Sequence, residues 1–364
     1  MEIVIDKGEL GNLLKKVISA TEKKSALPIL ANFLIEAKKD KLTVQGTDLE
    51  VHVLASVFAK VNKEGSVCVN AKKFTDISRL LPKNEVEIKE EDNKLKIISG
   101  KTKYSLPTSP TDEFPQMYPF PENTSFSISG DSLLEAIQKT LYATSKEESR
   151  YALQGVLFKT VGDSIDVVAT DGHRLALYKI EKTGTGEIEV IIPQKALNEL
   201  KKLATDFEDV EVASTEQYTF FKSRDWLLMT RVLEGAFPDY TQVIPEDFSI
   251  EIQVNRKEFL EAIKRVSAIV EGEPKPTKLT LRKGVLELKT FSSEFGEAVD
   301  EIEIDYEGDD YSMGFNAKYI IDAVSVIDED NIFIKFTNPE AQTLFTPVEN
   351  QNYVAIVMPM EINF

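Results

Sequence analysis

Apolar positions along this chain follow two periods, and the order in which those periods alternate recurs three times. Each stretch opens on a short alternating run, EIVI, SFSIS or FSIEIQV, which predicts a strand. Apolar residues at helical spacing follow, Leu10, Leu13, Leu14 and Val17 in the first stretch and Phe259, Ala262, Ile263 and Val266 in the third. In the second, Ser132 with Glu135 three residues on suits a capping box at the helix start. Short alternating strands come next, among them KLTVQG, SIDVVAT and KLTLRKGVLELKT. A later helix, AKKFTDISRLL, QKALNELKKLA or AKYIIDAVSVI, then runs straight into a strand, EVEIKEE, DVEVAS or NIFIKFT. The spacing predicts helical segments over 6–24, 70–83, 131–150, 194–206, 255–265 and 315–326. Two helices per stretch, one early and one late, are too few for parallel βαβ winding. Antiparallel sheets with both helices on one side fit the order.

The recurrence extends to individual residues. A constant offset of 123 lays Thr47-Asp48 on Thr170-Asp171, Phe114-Pro115 on Phe237-Pro238, Ala20-Thr21 on Ala143-Thr144 and Lys72 on Lys195. The same step lays Lys195 on Lys318 and Thr170-Asp171 on Ser293-Glu294, while the opening helices of the second and third stretches need a shift nearer 126, from Leu133 to Phe259. The chain therefore reads as α+β, three tandem copies of one domain over 1–120, 121–245 and 246–364. The proline-rich TSPTDEFPQMYPFPENTS serves as the first linker. The unit is a whole domain, which excludes a solenoid of short repeats and points to a crescent or a segment of a ring.

A chain of 364 residues with 42% apolar and 29% charged residues is that of a globular protein with more than one core. The start, MEIVIDKGEL, lacks the pattern of a secretory signal and no apolar run is long enough to span a bilayer, so a cytoplasmic protein is expected. On that expectation Asn123-Thr124-Ser125 is a chance match to a glycosylation acceptor. Cys68, the single cysteine, excludes an intrachain disulfide and a cysteine-rich zinc site, and reads as a small buried hydrophobe. A net charge of −18 argues at first against nucleic acid. The six helical segments, however, carry +7 and the remainder −25. Helices sharing one face would hold phosphate backbones while the acidic remainder repels them. With one Trp and no interleaving of aromatic and basic residues, duplex DNA held through its backbone suits the chain better than stacked single strands.

The densest chemistry lies in VVATDGHRLALYKI, Val167 to Ile180, where Thr170, Asp171, Gly172, His173 and Arg174 stand between two apolar runs. Three readings compete for it: a catalytic Asp/His pair, a metal or phosphate site, and a structural turn beside a peptide-binding surface. No GxxxxGK[ST], GxGxxG after a strand, GxSxG or HExxH occurs, and His52 and His173 are the only histidines. The repeats weigh against catalysis. Thr47, Asp48 and Glu50 occupy the equivalent positions in the first copy, and Ser293, Glu294 and Gly296 in the third. A Thr-Asp pair common to two copies bonds a local turn, which leaves Gly172, His173 and Arg174 as the specialised part. No catalytic residue, metal or cofactor is expected. The carboxylates of Glu90-Glu91-Asp92, Glu307 with Asp309-Asp310, and Asp328-Glu329-Asp330 read as solvated turns.

LPILANFLIEA with GTDLEV, ATDGHRLALY with VLEGAFPDYTQVIP, and GFNAKYIIDAV with the terminal VMPM together resemble the bacterial DNA sliding clamps, the beta subunits of DNA polymerase III, over the whole chain. The resemblance implies a processivity factor without catalytic activity or cofactor. It further implies a head-to-tail homodimeric ring of six like domains, the chain being half of it, with helices lining a hole around double-stranded DNA held without regard to sequence. A cleft between the second and third domains would take short hydrophobic peptides of the polymerase III catalytic subunit, the clamp loader, other polymerases and repair proteins. Its residues would be Leu153, Thr170, Gly172, His173, Arg174, Leu175, Pro238, Val243, Asn316, Tyr319, Ile356, Val357, Met358, Pro359 and Met360. DNA contacts map onto Lys24, Lys73, Arg150 and Tyr151. The subunit contact maps onto Tyr104 and Leu106 of the first domain against Ile269 and Val270 of the third, positions that also read as ordinary core. The ending Glu361-Ile362-Asn363-Phe364 departs from the family, whose chains usually stop with a basic residue and a leucine after MPM. Two rival readings remain: a scaffold that binds peptides but no DNA, and a hydrolase using His173 with Asp171.

Overall fold

A computed structural model describes residues 1–22, 26–204, 208–245, 247–362 and 364. Its six α-helices fall two to a repeat: α1 Lys7–Val17, α2 Ala71–Leu80, α3 Gly130–Thr140, α4 Gln194–Leu203, α5 Arg256–Ser267 and α6 Ala317–Ser325. Polar side chains at the preceding residue cap α1, α2, α5 and α6. Asp6 accepts from the amides of Gly8 and Glu9 at 2.7 and 3.2 Å, and Asn70, Asn255 and Asn316 accept from Lys73, Glu258 and Lys318 at 3.0, 3.1 and 3.2 Å. The capping box expected at Ser132 is displaced. The strand Phe126–Ser129 enters α3 without a loop, and Ser129 Oγ accepts the Ser132 amide at 3.2 Å.

The segments expected over 6–24 and 131–150 run too long. Both helices tighten into 3₁₀ turns at Ile18–Ala20 and Leu141–Ala143, where Thr21 and Thr144 each donate a hydroxyl to the carbonyl three residues back at 2.8 Å. The repeated Ala-Thr pair is thus a stop device, using up a carbonyl that the helix end leaves unpaired.

The described residues form two compact units, one of 1–134, 182–188 and 195–232, the other of 135–181, 189–194 and 233–364. They cut across the repeats because sheets continue from one repeat into the next. The first unit holds a 13-stranded antiparallel sheet, in which Val51–Phe58 of the first repeat pairs with Trp226–Arg231 of the second, Val53 opposite Leu228. The second unit holds sheets of eight and four strands. In the larger, Arg174–Glu181 of the second repeat pairs with Tyr353–Val357 of the third, Leu175 opposite Ile356. These are the same two strand positions used twice. Among the described residues, the corresponding strand of the third repeat, Gly296–Glu303, pairs only with Val285–Ser292. The last strand of the first repeat, Thr102–Ser109, pairs along its length with Lys94–Ser99 but meets Gly65–Asn70 only through Thr108 and Ser109. Each therefore leaves a row of backbone groups without a sheet partner.

Each helix buries an apolar stripe and turns charges outward. In α1, Leu10, Leu13, Leu14 and Val17 are buried and Lys15 is exposed; in α4, Leu197, Leu200 and Leu203 are buried and Lys201 and Lys202 exposed. Lys139 of α3 is an exception to the basic face: it is 3% exposed, and its ammonium bonds Val326 O and Asp328 Oδ2, both at 2.7 Å. Cys68 is buried, and burial, with Glu113 and Asp112 nearby, pushes its thiol up to about 12, as suits an inert core residue. Among the described residues, no helix is long and apolar enough to cross a membrane.

Candidate functional site

The Thr-Asp pair makes the same turn in the first two repeats. Thr170 donates its hydroxyl to Arg174 O at 2.7 Å and accepts the Gly172 amide at 3.1 Å; Thr47 does the same with Val51 O at 2.9 Å and the Leu49 amide at 3.0 Å. Asp171 Oδ1 accepts the amides of His173 and Arg174 at 2.9 and 3.1 Å, and Asp48 Oδ1 those of Glu50 and Val51 at 3.1 and 2.9 Å. The third position is left-handed in both, φ +88° at Gly172 and +78° at Leu49. Glycine in the second copy serves close approach: a Cβ there would stand 2.6 Å from Arg150 Nη1. The third repeat departs from the offset of the first two. Its hairpin turns on Ser292, which accepts the Phe295 amide at 3.3 Å, rather than on the Ser293-Glu294 pair.

This geometry disposes of the acid/base pair. Asp171 spends one oxygen on the turn and the other on Arg174 Nε at 2.9 Å, while the exposed His173 ring stacks on Tyr319, centroids 6.3 Å apart. Arg174, 7% exposed, completes a fixed knot. Its Nη1 donates to Asp322 Oδ2 of α6 at 2.7 Å and its Nη2 to Tyr142 O at 2.8 Å, and its guanidinium lies over the rings of Tyr319 and Tyr142 at 4.6 and 5.4 Å. Burial alone would lower its pKa, but the bonds from Asp322 and Asp171 raise it.

Two adjoining cavities flank this knot within the second unit. The smaller, about 130 Å³, is lined by Thr170, Gly172, Leu175, Pro238, Val243, Ile356 and Met358 from the expected set, with Asp239 and Tyr240. Behind it lies an apolar cluster of Leu157, Val168, Leu177 and Leu344, against which Phe237 and Ile244 pack. Tyr240 is 5% exposed and donates to Asp166 Oδ2 at 2.7 Å, which holds the Pro238–Val243 wall against the sheet. The larger cavity, about 570 Å³, takes in His173, Asn316, Tyr319, Pro359 and Met360, together with Thr144, Ser145, Lys146, Glu147, Asp171, Glu273, Pro274 and Lys318. Arg174 and Met358 line both.

Two expected cleft residues line neither cavity. Val357 is fully buried, because alternation along Tyr353–Val357 sends it to the face opposite Ile356. Leu153 is half-buried in a 3₁₀ turn, its carbonyl accepting the Ser145 amide at 2.8 Å. Of the residues sequence reasoning missed, Asp239 and Tyr240 lay inside the FPDY run and Thr144 inside the recurring Ala-Thr pair. Lys318 lay on the repeat step from Lys195, while the acidic rim, Glu147 and Glu273, had no local signal.

Lys24 lies outside the described residues. Lys73 is exposed on α2, and Tyr151 is 55% exposed. Arg150 donates to Asp171 O at 2.5 Å and pairs with Glu147 at 3.1 Å. Tyr104, Leu106, Ile269 and Val270 are all half-buried.

The first repeat builds a counterpart of the knot with different partners. Lys195 bridges Asp48 and Glu50, the latter at 3.1 Å, where the equivalent Lys318 pairs with Asp322 at 3.0 Å. His52 takes the place of Leu175 and is buried, bonded to Gln45 Oε1 at 3.0 Å and edge-on to Phe114 at 5.9 Å. Burial lowers its pKa to about 4, against a smaller opposing pull from Asp48. Among the described residues no group of His, Cys, Asp or Glu is placed to hold a metal.

Comparison with known proteins covers the chain from end to end. Residues 1–118, 127–239 and 241–361 match the N-terminal, central and C-terminal domains of the DNA polymerase III beta subunit. The beta sliding clamp of Caulobacter vibrioides is 31% identical over 372 residues, covering 100% of both chains, and that of Bacillus subtilis 32% over 375 residues, covering 99% of both. The crystal structure of the Bacillus subtilis clamp superposes with a TM-score of 0.94 at 31% identity, and that of Pseudomonas aeruginosa bound to griselimycin with 0.95 at 28%, each covering 100% of both chains. On three domain matches and full-length relatives alike, this chain belongs to the DNA polymerase III beta subunit family, the bacterial sliding clamps, which are processivity factors and not enzymes.

Proposed function

We propose that two copies of this chain close head to tail into a cytoplasmic ring around duplex DNA. The ring tethers the polymerase III catalytic subunit, the clamp loader, other polymerases and repair proteins through short peptides bound in the two adjoining cavities. The observation that carries the cleft is their pairing: a small apolar pocket with Val243 and Met358, 38% and 37% exposed, at its mouth, opening beside a wider polar one. An extended peptide would place an apolar anchor in the first and its backbone across the second. Methionines on the shared wall can repack around different partners. Lys73 and Tyr151 remain DNA contacts in this reading, with Arg150 reassigned to the cleft rim.

The ring has its own support. Strand pairs join the first repeat to the second and the second to the third, and the two strands left without such a partner are the ones a second copy would join. Carrying the register of the two internal pairs across places Tyr104 of one copy opposite Ala298 of the other, on the same face as Leu106. Directly opposed residues have Cβ atoms about 5 Å apart. A Tyr104→Cys, Ala298→Cys protein should therefore form a disulfide-linked dimer on mild oxidation. Loaded onto nicked circular DNA, that ring should stay bound in high salt and slide off once the circle is cut. A monomer by light scattering at micromolar concentration, or equal retention on linear DNA, would refute the ring. A labelled peptide from the polymerase tail should bind and be displaced by Met358→Asp; unchanged binding would refute the cleft.

A further inference from the structure

The residues beyond Met360 line neither cavity, yet two of them are fastened to the sheet beside it. Met360 donates its amide to Gly314 O at 2.9 Å, at the edge of the strand Tyr311–Asn316 that its partner Pro276–Arg282 leaves open. Ile362 then lies directly over Gly314. A Cβ at that position would come within 2.5 Å of Ile362 Cδ1, Ile362 Cγ1 and Met360 O, so the seat exists only because residue 314 is glycine. Phe364 packs on Phe291, ring centroids 5.8 Å apart. At the other end of the same segment, Met358 donates its amide to His173 O at 2.9 Å.

We propose that Ile362 and Gly314 are positioning residues for the peptide cleft: seated over Gly314, Ile362 holds Met358, Pro359 and Met360 in the binding-competent wall without touching the peptide. The inference rests on the cleft reading above. Its physical basis is pre-organisation. Met358 is the shared wall of both cavities, and a short terminal segment with two flexible methionines, pinned at one end only, would have to be ordered at the moment of binding. Pinned at both ends, it has given up that freedom already. Asn316, two residues past Gly314, caps α6 and lines the wider cavity, so the strand that seats the tail also carries part of the site.

The test uses the full-length dimer and a fluorescent peptide from the polymerase tail, read by anisotropy, beside amide exchange at Met358 and Met360. Ile362→Ser, Gly314→Ala and a chain ending at Met360 should each weaken the peptide about tenfold and speed exchange at Met360. The dimer and the unfolding temperature should stay unchanged, and Ile362→Leu should restore affinity. Wild-type affinity in both Ile362→Ser and Gly314→Ala would overturn the inference. So would a loss of affinity matched by a general loss of stability, which marks a merely structural residue. If the wild-type chain itself fails to bind the peptide, the cleft reading falls, and with it any role of this seat in binding, whatever the exchange at Met360.

Discussion

Arg174 Nη1 stands 2.7 Å from Asp322 Oδ2, and that bond joins the specialised hairpin of the second repeat to helix α6 of the third. The same guanidinium reaches Asp171 and Tyr142 O, so one planar group satisfies three acceptors in three directions. A compact ammonium cannot do this. Arg174→Ala should lower the unfolding free energy of this unit by about 3 kcal/mol, because it takes a charged partner from each of two partly buried carboxylates. Arg174→Lys should recover less than half of that. Denaturant unfolding of both variants checks the claim, and a loss under 1 kcal/mol for the alanine would contradict it.

Tyr240 and Asp166 form a second buried contact beneath the small cavity. Asp166 is 6% exposed, and its Oδ1 has no partner among the described residues. Tyr240→Phe should thus leave a carboxylate with neither oxygen bonded and cost about 1–3 kcal/mol. Tyr240→Phe combined with Asp166→Leu should regain most of the loss, since removing both polar partners removes the desolvation penalty. A double-mutant cycle with strictly additive losses would show that the pair is not coupled.

His52 makes the stability of the first unit depend on pH. Its folded value of about 4 lies below the ordinary 6.5, so between these values the unfolded chain takes up a proton that the folded chain refuses. Its contribution is fully present above pH 6.5 and is lost as pH falls toward 4. From pH 8 to 5 it should amount to about 2 kcal/mol. His52→Gln should remove that part of the slope. Equal slopes for the two proteins over this interval would contradict the assignment.

Gly172→Ala tests the turn. Leu49 adopts the same left-handed conformation in the first repeat, so the hairpin should survive at a cost of about 1 kcal/mol. The new methyl group would, however, displace Arg150 from Asp171 O. Peptide affinity should fall several-fold while the fold persists; unchanged affinity would show that Arg150 has no part in the cleft rim.

Much of this molecule was legible in its residue order because the interactions responsible are local. Helix caps, the Thr-Asp turn and the Ala-Thr stop each close within four residues, and they recur wherever those residues recur. Where a local rule failed, a neighbouring element decided. Ser129 caps α3 instead of Ser132 because the strand before it runs straight into the helix. The small cavity was legible in part. Leu175, Pro238 and Ile356 line it, but Val357 turns away and Arg150 is bonded to the turn beside it.

By itself the sequence determined the α+β order of elements, the threefold repetition, the split between basic helices and an acidic remainder, and the specialisation of Gly172, His173 and Arg174. All of these follow from periodicity, composition or comparison of the chain with itself. Only the tertiary structure decided that the sheets run across the repeat boundaries, that Arg174 is a clamp and Asp171 a turn acceptor, and that Ile362 sits on Gly314. Those facts depend on which strand lies beside which. Backbone hydrogen bonding between residues more than a hundred positions apart sets that, and it leaves no period in the sequence to read.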